Sequence, residues 1–217
     1  MSEKNLQYLS GKGWLIFSGG NTVGSEIRAQ AIARAKTYGI TAYISKADDE
    51  GDSLLDDMVD LGARTGYFID LEYDDPEEML EQLKTASLIA IEIGSSLNEL
   101  YHALSGAALE GIKQAYERGG VVLIEGLAVN LFGRWFVSDE GEILDGFNWV
   151  LNAFIEPEST GIEDSRAVQT VLQQFEDAIA INIASGSALV VGGEGQVEIW
   201  GEDKNVTISL GRGYTAE

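Results

Sequence analysis

Apolar runs of strand length recur along the chain, and segments with helical spacing separate them. WLIFS (14–18) ends at Gly19-Gly20, and the pattern EIRAQAIARAKTYG follows Ser25, a capping residue, and stops at Gly39. ITAYIS (40–45) predicts a second strand, followed by the acidic loop KADDEGD and a helical SLLDDMVDLGA. TGYFID (65–70) predicts a strand, and Asp75-Pro76 opens the helix EEMLEQLKTA. SLIAIEI (87–93) comes next, then Gly94-Ser95-Ser96. Residues 97–118 hold one helix, or two broken near Ser105-Gly106. VVLIEG then reaches a corner, GLAVNLFG (126–133), that could open a helix.

Strands apolar on both faces, alternating with helices of ten or more residues, predict an α/β fold. Its centre is a doubly wound, mostly parallel sheet with helices on both faces. Beyond residue 150 the rhythm changes to LNAFIE, a helix near 162–176 and AIAINI. ALVV, QVEIW and NVTISL follow, short and separated by Gly-containing turns, which predicts a C-terminal antiparallel extension. Without an internal repeat or a Pro- or Ser-rich linker, residues 1–217 read as one domain.

Composition narrows the function classes. No apolar stretch approaches the roughly 18 residues of a membrane span. The opening MSEKNLQYLSGKG has no apolar leader region, so a cytoplasmic location is the expectation. The absence of Cys excludes disulfides and thiolate metal sites. Lys and Arg number 14 against 36 Asp and Glu, a formal net charge of −22. That field disfavours nucleic acid and anionic membranes and favours cationic ligands. The acidic residues are spread along the chain, so a solvated acidic surface is the competing explanation.

Two Gly-containing loops invite a phosphate reading. SGGNTVGS (18–25) lacks both the G-x-G-x-x-G spacing and a Gly-Lys-Ser/Thr, and reads as a tight strand–helix turn. GSS (94–96) starts a helix whose N-terminus could hold an anion.

The corner is the feature with a chemical history. Many hydrolases lift a nucleophile clear of the sheet at such a strand–turn–helix corner. IAIEIGSSLNEL, AYERGGVVLIEGLAVN, FIEPES (154–159) and INIASGSALVVGGEGQVEIWG (181–201) follow one another at telling spacings. In this order the chain resembles the cyanophycinase and dipeptidase E family of serine peptidases, over about the last 130 residues. The resemblance implies a class I glutamine amidotransferase-like fold, and a homodimer as the assembly. It also implies that the catalytic chemistry is gone. The family's Ser falls on Leu127, or on Ala128 after a slide of one; its His falls on Glu158 and its acid on Ser185. Glu125 and Val129 stand where the elbow wants small residues, and the oxyanion turn keeps Gly94 but has Ser95 for its second Gly. Leu cannot attack an amide.

No rescue is visible, since the only His, His102, lies on a predicted helix and neither Ser95 nor Ser96 has an identifiable base. What remains is a set of carboxylates. Glu92, Glu125, Glu156 and Glu158 fall at or just before the C-terminal ends of three strands, where open α/β sheets bind ligands. With Gly94, Ser95 and Ala128 they form the candidate ligand-binding set. Carboxylates without His or Cys suit a hard cation, an amine or a guanidinium, not zinc. Against this, strand alternation could separate Glu92 from Glu125, or Arg118, Arg134 or Arg166 could neutralise them. Two functions follow. One is a non-catalytic binding or partner protein for a cationic small molecule or peptide, with no cofactor and no assigned metal. The alternative is a hydrolase using the same crevice with replaced residues, metal-assisted or acting on cationic or arginine-containing peptides.

Overall fold

The apolar runs become strands in the predicted order. In the computed structural model they are β1 (Trp14–Ser18), β2 (Thr41–Ser45), β3 (Gly66–Asp70), β4 (Leu88–Glu92) and β5 (Val121–Glu125). The structure describes residues 6–20, 25–35, 39–45, 50–64, 66–92, 96–161, 165–202 and 204–214. β1, β4 and β5 are buried along almost their whole length, as unbroken apolar runs require. The five strands lie parallel in the order β1-β5-β4-β2-β3.

The rest of the strands divide between two sheets. β6 (Trp135–Val137), β7 (Ile143–Asp145), β8 (Ala153–Pro157) and β9 (Ile179–Ile183) belong to a second sheet. β10 (Ser187–Gly192) and β11 (Val197–Gly201) return to the first, adding antiparallel strands beside β1 to make seven. β12 (Val206–Leu210) pairs antiparallel with β9, so the small sheet runs β12-β9-β8-β6-β7.

Helices fill three layers around these sheets. α1 (Glu26–Arg34) and α2 (Glu50–Asp60) cover one face of the large sheet, packing Ile27, Ala31, Leu54 and Met58 on Tyr43 and Leu123. α3 (Pro76–Thr85), α4 (Leu97–Leu104) and α5 (Ala107–Glu117) lie on the other face. There the small sheet joins the same core, with Ile155, Ile181 and Ile183 clustering with Phe17, Ile124 and Leu189. α6 (Arg166–Gln174) closes the outside of the small sheet, Val168 and Val171 meeting Phe154 and Ala180. No helix among the described residues is long and apolar enough to cross a membrane.

Local signals explain most boundaries. The Ser25 hydroxyl accepts the Arg28 N–H, and the Asp75 carboxylate accepts the Glu77 and Glu78 N–H groups ahead of Pro76. Gly106, at φ +91°, separates α4 from α5, so of the two alternatives over 97–118 the broken pair is the one formed. Gly111 lets α5 approach α3, since a Cβ there would stand 2.7 Å from the Leu83 Cβ.

Four expectations change. α1 ends at Arg34 rather than at Gly39, because Ala35 turns extended while its N–H still bonds Ala31 and Ile32. α6 starts at Arg166, with Ser165 as its cap. NVTISL leaves the antiparallel extension for the other sheet. The corner winds into a 3-10 turn, Gly126–Phe132, instead of an α-helix.

Candidate functional site

Register settles the parity question. Glu92 ends β4, Glu125 ends β5, and the two are direct partners in the parallel pair. Leu88 and Ala90 on β4, and Val121 and Leu123 on β5, share their parity and pack toward α1 and α2. Both carboxylates therefore point into the same corner beneath those helices.

What they meet there is a guanidinium. Arg28, in the first turn of α1, donates from Nε to Glu125 at 2.9 Å and from an Nη to the same oxygen at 2.7 Å. That Nη also reaches Glu92 at 2.9 Å, and the other Nη reaches Asp57 of α2 at 2.8 Å. Arg28 is 3% exposed and Glu125 1%, whereas the Glu92 side chain is 33% exposed and forms the outer rim. Arg118, Arg134 and Arg166 are not the partners. Arg118 reaches the Lys84 carbonyl, and Arg134 bonds Asn152 at 3.3 Å and lies 5.1 Å over the Trp135 ring.

Among the described residues, one buried cation faces three carboxylates. Burial pushes the Glu125 carboxyl up to about 7, although Arg28 pulls the other way, while Glu92 and Asp57 add to the rise. Burial alone would weaken the Arg28 cation, but Glu125, Asp57 and Glu92 outweigh it and hold the group protonated. The cluster ties α1, α2, β4 and β5 together at the C-terminal end of the parallel sheet.

The corner stands beside this cluster. Its tip is Gly126, at φ +59° with open space where a side chain would go. Leu127 follows, 42% exposed, and neither residue carries a nucleophile. Ala128 is fully buried in the core, so it cannot line an open pocket as the sequence suggested. Gly94 and Ser95 lie outside the described residues.

The anion expected at the start of α4 is supplied by the chain itself. The Ser96 hydroxyl bonds the Asp139 carboxylate, whose other oxygen accepts the Leu97 N–H at 3.4 Å. Asn98 donates to Glu140 at 2.9 Å, so the β6–β7 turn is pinned over this helix end.

Glu156 and Glu158 part company with the other two. Glu156 faces α6, accepting from Ser165 at 2.6 Å and Asn182 at 3.2 Å, and burial raises its pKa. Glu158, exposed at φ +55°, brings Oε1 to within 3.1 Å of where a Gly20 Cβ would stand, at the end of β1. The four carboxylates thus do not share one pocket. Among the described residues no group of three or more acidic or His side chains is arranged to hold a metal ion. Ser185 is exposed in the turn after β9, and His102 is exposed on α4 with its ring 5.7 Å from Tyr101.

Sequence reasoning missed Arg28 and Asp57. The signal was spacing: Arg28 precedes buried Ala31 by three positions, and Asp57 follows buried Leu54 by three. Both therefore lie on the core side of their helices.

No family model matches the chain, and no curated protein matches it. Among solved structures it is similar to a peptidase from an acI-B1 Actinobacterium, with a TM-score of 0.68 at 15% identity over 92% of this chain and 95% of that one. It is also similar to the candidate peptidase E of Listeria monocytogenes EGD-e, with a TM-score of 0.64 at 12% identity over 88% and 100%. The chain has the fold of these peptidases: mixed α/β, two sheets and covering helices.

Proposed function

We propose that this chain is a non-catalytic relative of the cyanophycinase and dipeptidase E peptidases that binds a cationic small molecule or peptide. The observation that carries the reading is the corner, where Gly126 occupies the tip and Leu127 projects into solvent in place of a nucleophile. β1, β5 and β4 are consecutive in the large sheet; Glu158, from the end of β8, lies beside Gly20 past β1, Leu127 follows β5, and the outer edge of Glu92 ends β4. Two acidic groups flanking an exposed aliphatic side chain suit an amine or guanidinium with an apolar stem.

A second reading, a hydrolase with replaced residues, draws on Glu125. A carboxyl titrating near 7 is suited to general acid or base work. Its 1% exposure argues against it, because substrate would have to displace Arg28 to reach the acid.

Turnover separates the two. Purified protein should leave Asp-X dipeptides and β-Asp-Arg chains uncleaved, and Leu127→Ser should be equally inactive because no His stands ready to accept the proton. Arginine or an arginine-containing peptide should still raise the melting temperature, by an amount that saturates with concentration. Cleavage that survives purification and falls with Glu125→Gln would establish the hydrolase instead.

A further inference from the structure

At the starts of β8 and β9 lies a cavity of about 350 Å³, a volume in the range of small-molecule sites. The length of β8, roughly 16 Å of strand, separates this end of the small sheet from Glu158. Its walls come from the segment ahead of the Tyr8–Val150 bridge, the turn into β8, the turn between α6 and β9, and the stretch after β12. Backbone bonds fix these walls. The Gln7 carbonyl accepts the Leu151 N–H at 2.8 Å, and the Asn152 carbonyl accepts the Ile179 N–H at 2.7 Å. The stretch after β12 is tied to the α6–β9 turn twice. The Gly213 N–H bonds the Glu176 carbonyl at 2.8 Å, and the Tyr214 hydroxyl donates to the Asp177 carbonyl at 3.1 Å. A Cβ at Gly213 would stand 2.8 Å from that Glu176 carbonyl, so glycine is what lets this wall close.

The lining selects the charge of what can enter. Leu151 and Ile179, both half-buried, offer apolar surface. Glu176, Asp177 and Tyr214 line the cavity with them, as do the amide residues Gln7 and Asn152. None of the lining residues is Lys, Arg or His. Arg134, which does not line the cavity, is engaged with the Asn152 Oδ1 at 3.3 Å. Asp177 lies close enough to the Tyr214 phenol for its charge to add to the burial that raises that group's pKa. An organic cation would therefore meet two carboxylates, amide acceptors, an aromatic ring and an apolar surface for its stem. A ligand carboxylate would meet the same two acids with no lining cation to receive it.

We propose that this cavity is a second ligand site, taking a compact amine or guanidinium that carries no carboxylate. It is separate from the corner, since neither Leu127 nor Glu92 nor Glu158 lines it and Glu158 follows the opposite end of β8. The inference therefore stands whether or not the corner binds a ligand.

Backbone amide NMR spectra read the two sites separately. The probe is agmatine, a guanidinium and an amine on one short apolar chain. It is added at constant ionic strength, so that screening of the net charge of −22 stays fixed. The Asn152, Ile179 and Gly213 amides should shift and saturate. Arginine, which adds a carboxylate to the same guanidinium chain, should bind there at least about tenfold more weakly. Glu176→Gln combined with Asp177→Asn should weaken agmatine by about tenfold or more. Leu151→Trp, which fills the cavity, should abolish the saturable shifts, and Glu158→Gln should leave them unchanged. Agmatine shifts at these amides that persist undiminished in the lining variants would overturn the proposal, and either variant suffices should the other fail to fold. So would shifts confined to Gly126 and Leu127, or no saturable shift up to about 10 mM, where any Kd near about 1 mM would register.

Discussion

Arg28→Met should destabilise the fold by about 3–5 kcal/mol at pH 8, a large part of the roughly 5–15 kcal/mol that holds a typical domain together. The loss of a surface Arg would cost little. Here the substitution removes the cation shared by Asp57 and Glu125, both nearly inaccessible, and Glu92. Arg28→Lys should recover only part of the loss. One ammonium cannot reproduce a fork whose three nitrogens serve a second helix and two strands. Acid should narrow the deficit. Without Arg28 the buried Glu125 carboxyl is raised still further, and a raised carboxyl stabilises the fold below its unfolded pKa and loses that contribution as pH rises. Denaturant titrations at pH 5 and pH 8 measure both effects, and a variant as stable as wild type at pH 8 would remove the cluster from any structural role.

Glu125→Gln should do the reverse. The Glu125 carboxyl stands at about 7 in the fold against 4.5 as its ordinary value. Below about 4.5 the folded and unfolded chains both hold this proton, so Glu and Gln are matched there. Between 4.5 and 7 the unfolded chain releases its proton first, and wild type loses stability as pH climbs through that window. The variant is spared the loss, and its amide oxygen can still accept from Arg28. Its advantage should therefore open across the window to about 3 kcal/mol at pH 8, since each tenfold difference in proton affinity between folded and unfolded chains is worth about 1.4 kcal/mol. Melting curves of the two proteins from pH 4 to pH 8 supply the comparison. An advantage that shrinks with rising pH would mean that the ionised form is the one the fold prefers.

The parallel strands were legible along the chain because buried ones announce themselves as unbroken apolar runs, as VVLIE and LIAIE do. Capping chemistry placed Ser25 and Asp75, and Gly106 marked the break between α4 and α5. The division into two sheets was not legible. A buried run looks the same whichever neighbour it takes, and NVTISL gives no sign that it will choose β9. WFV and ILD, three residues each, are too short for alternation to register. At the site, the carboxylates were found from their place at strand ends, and register alone decided that Glu92 and Glu125 meet. Their counter-ion came from α1, 97 residues before Glu125, where Arg28 reads like any exposed helical Arg. Glu156 was misplaced for a similar reason, since its companions Ser165 and Asn182 lie on other elements.

α1 has a second guanidinium six residues on. Arg34 lies 3.9 Å over the Trp14 ring and bonds Glu198 of β11 at 3.0 Å. The helix is thus fastened at its start to the ends of the central strands β4 and β5, and at its finish to the edge strand β11. Such a helix cannot fray from either terminus without releasing an anchored cation. Its amides should therefore exchange with solvent deuterium on the slow timescale of whole-molecule opening, making this nine-residue segment part of the last unit to come apart.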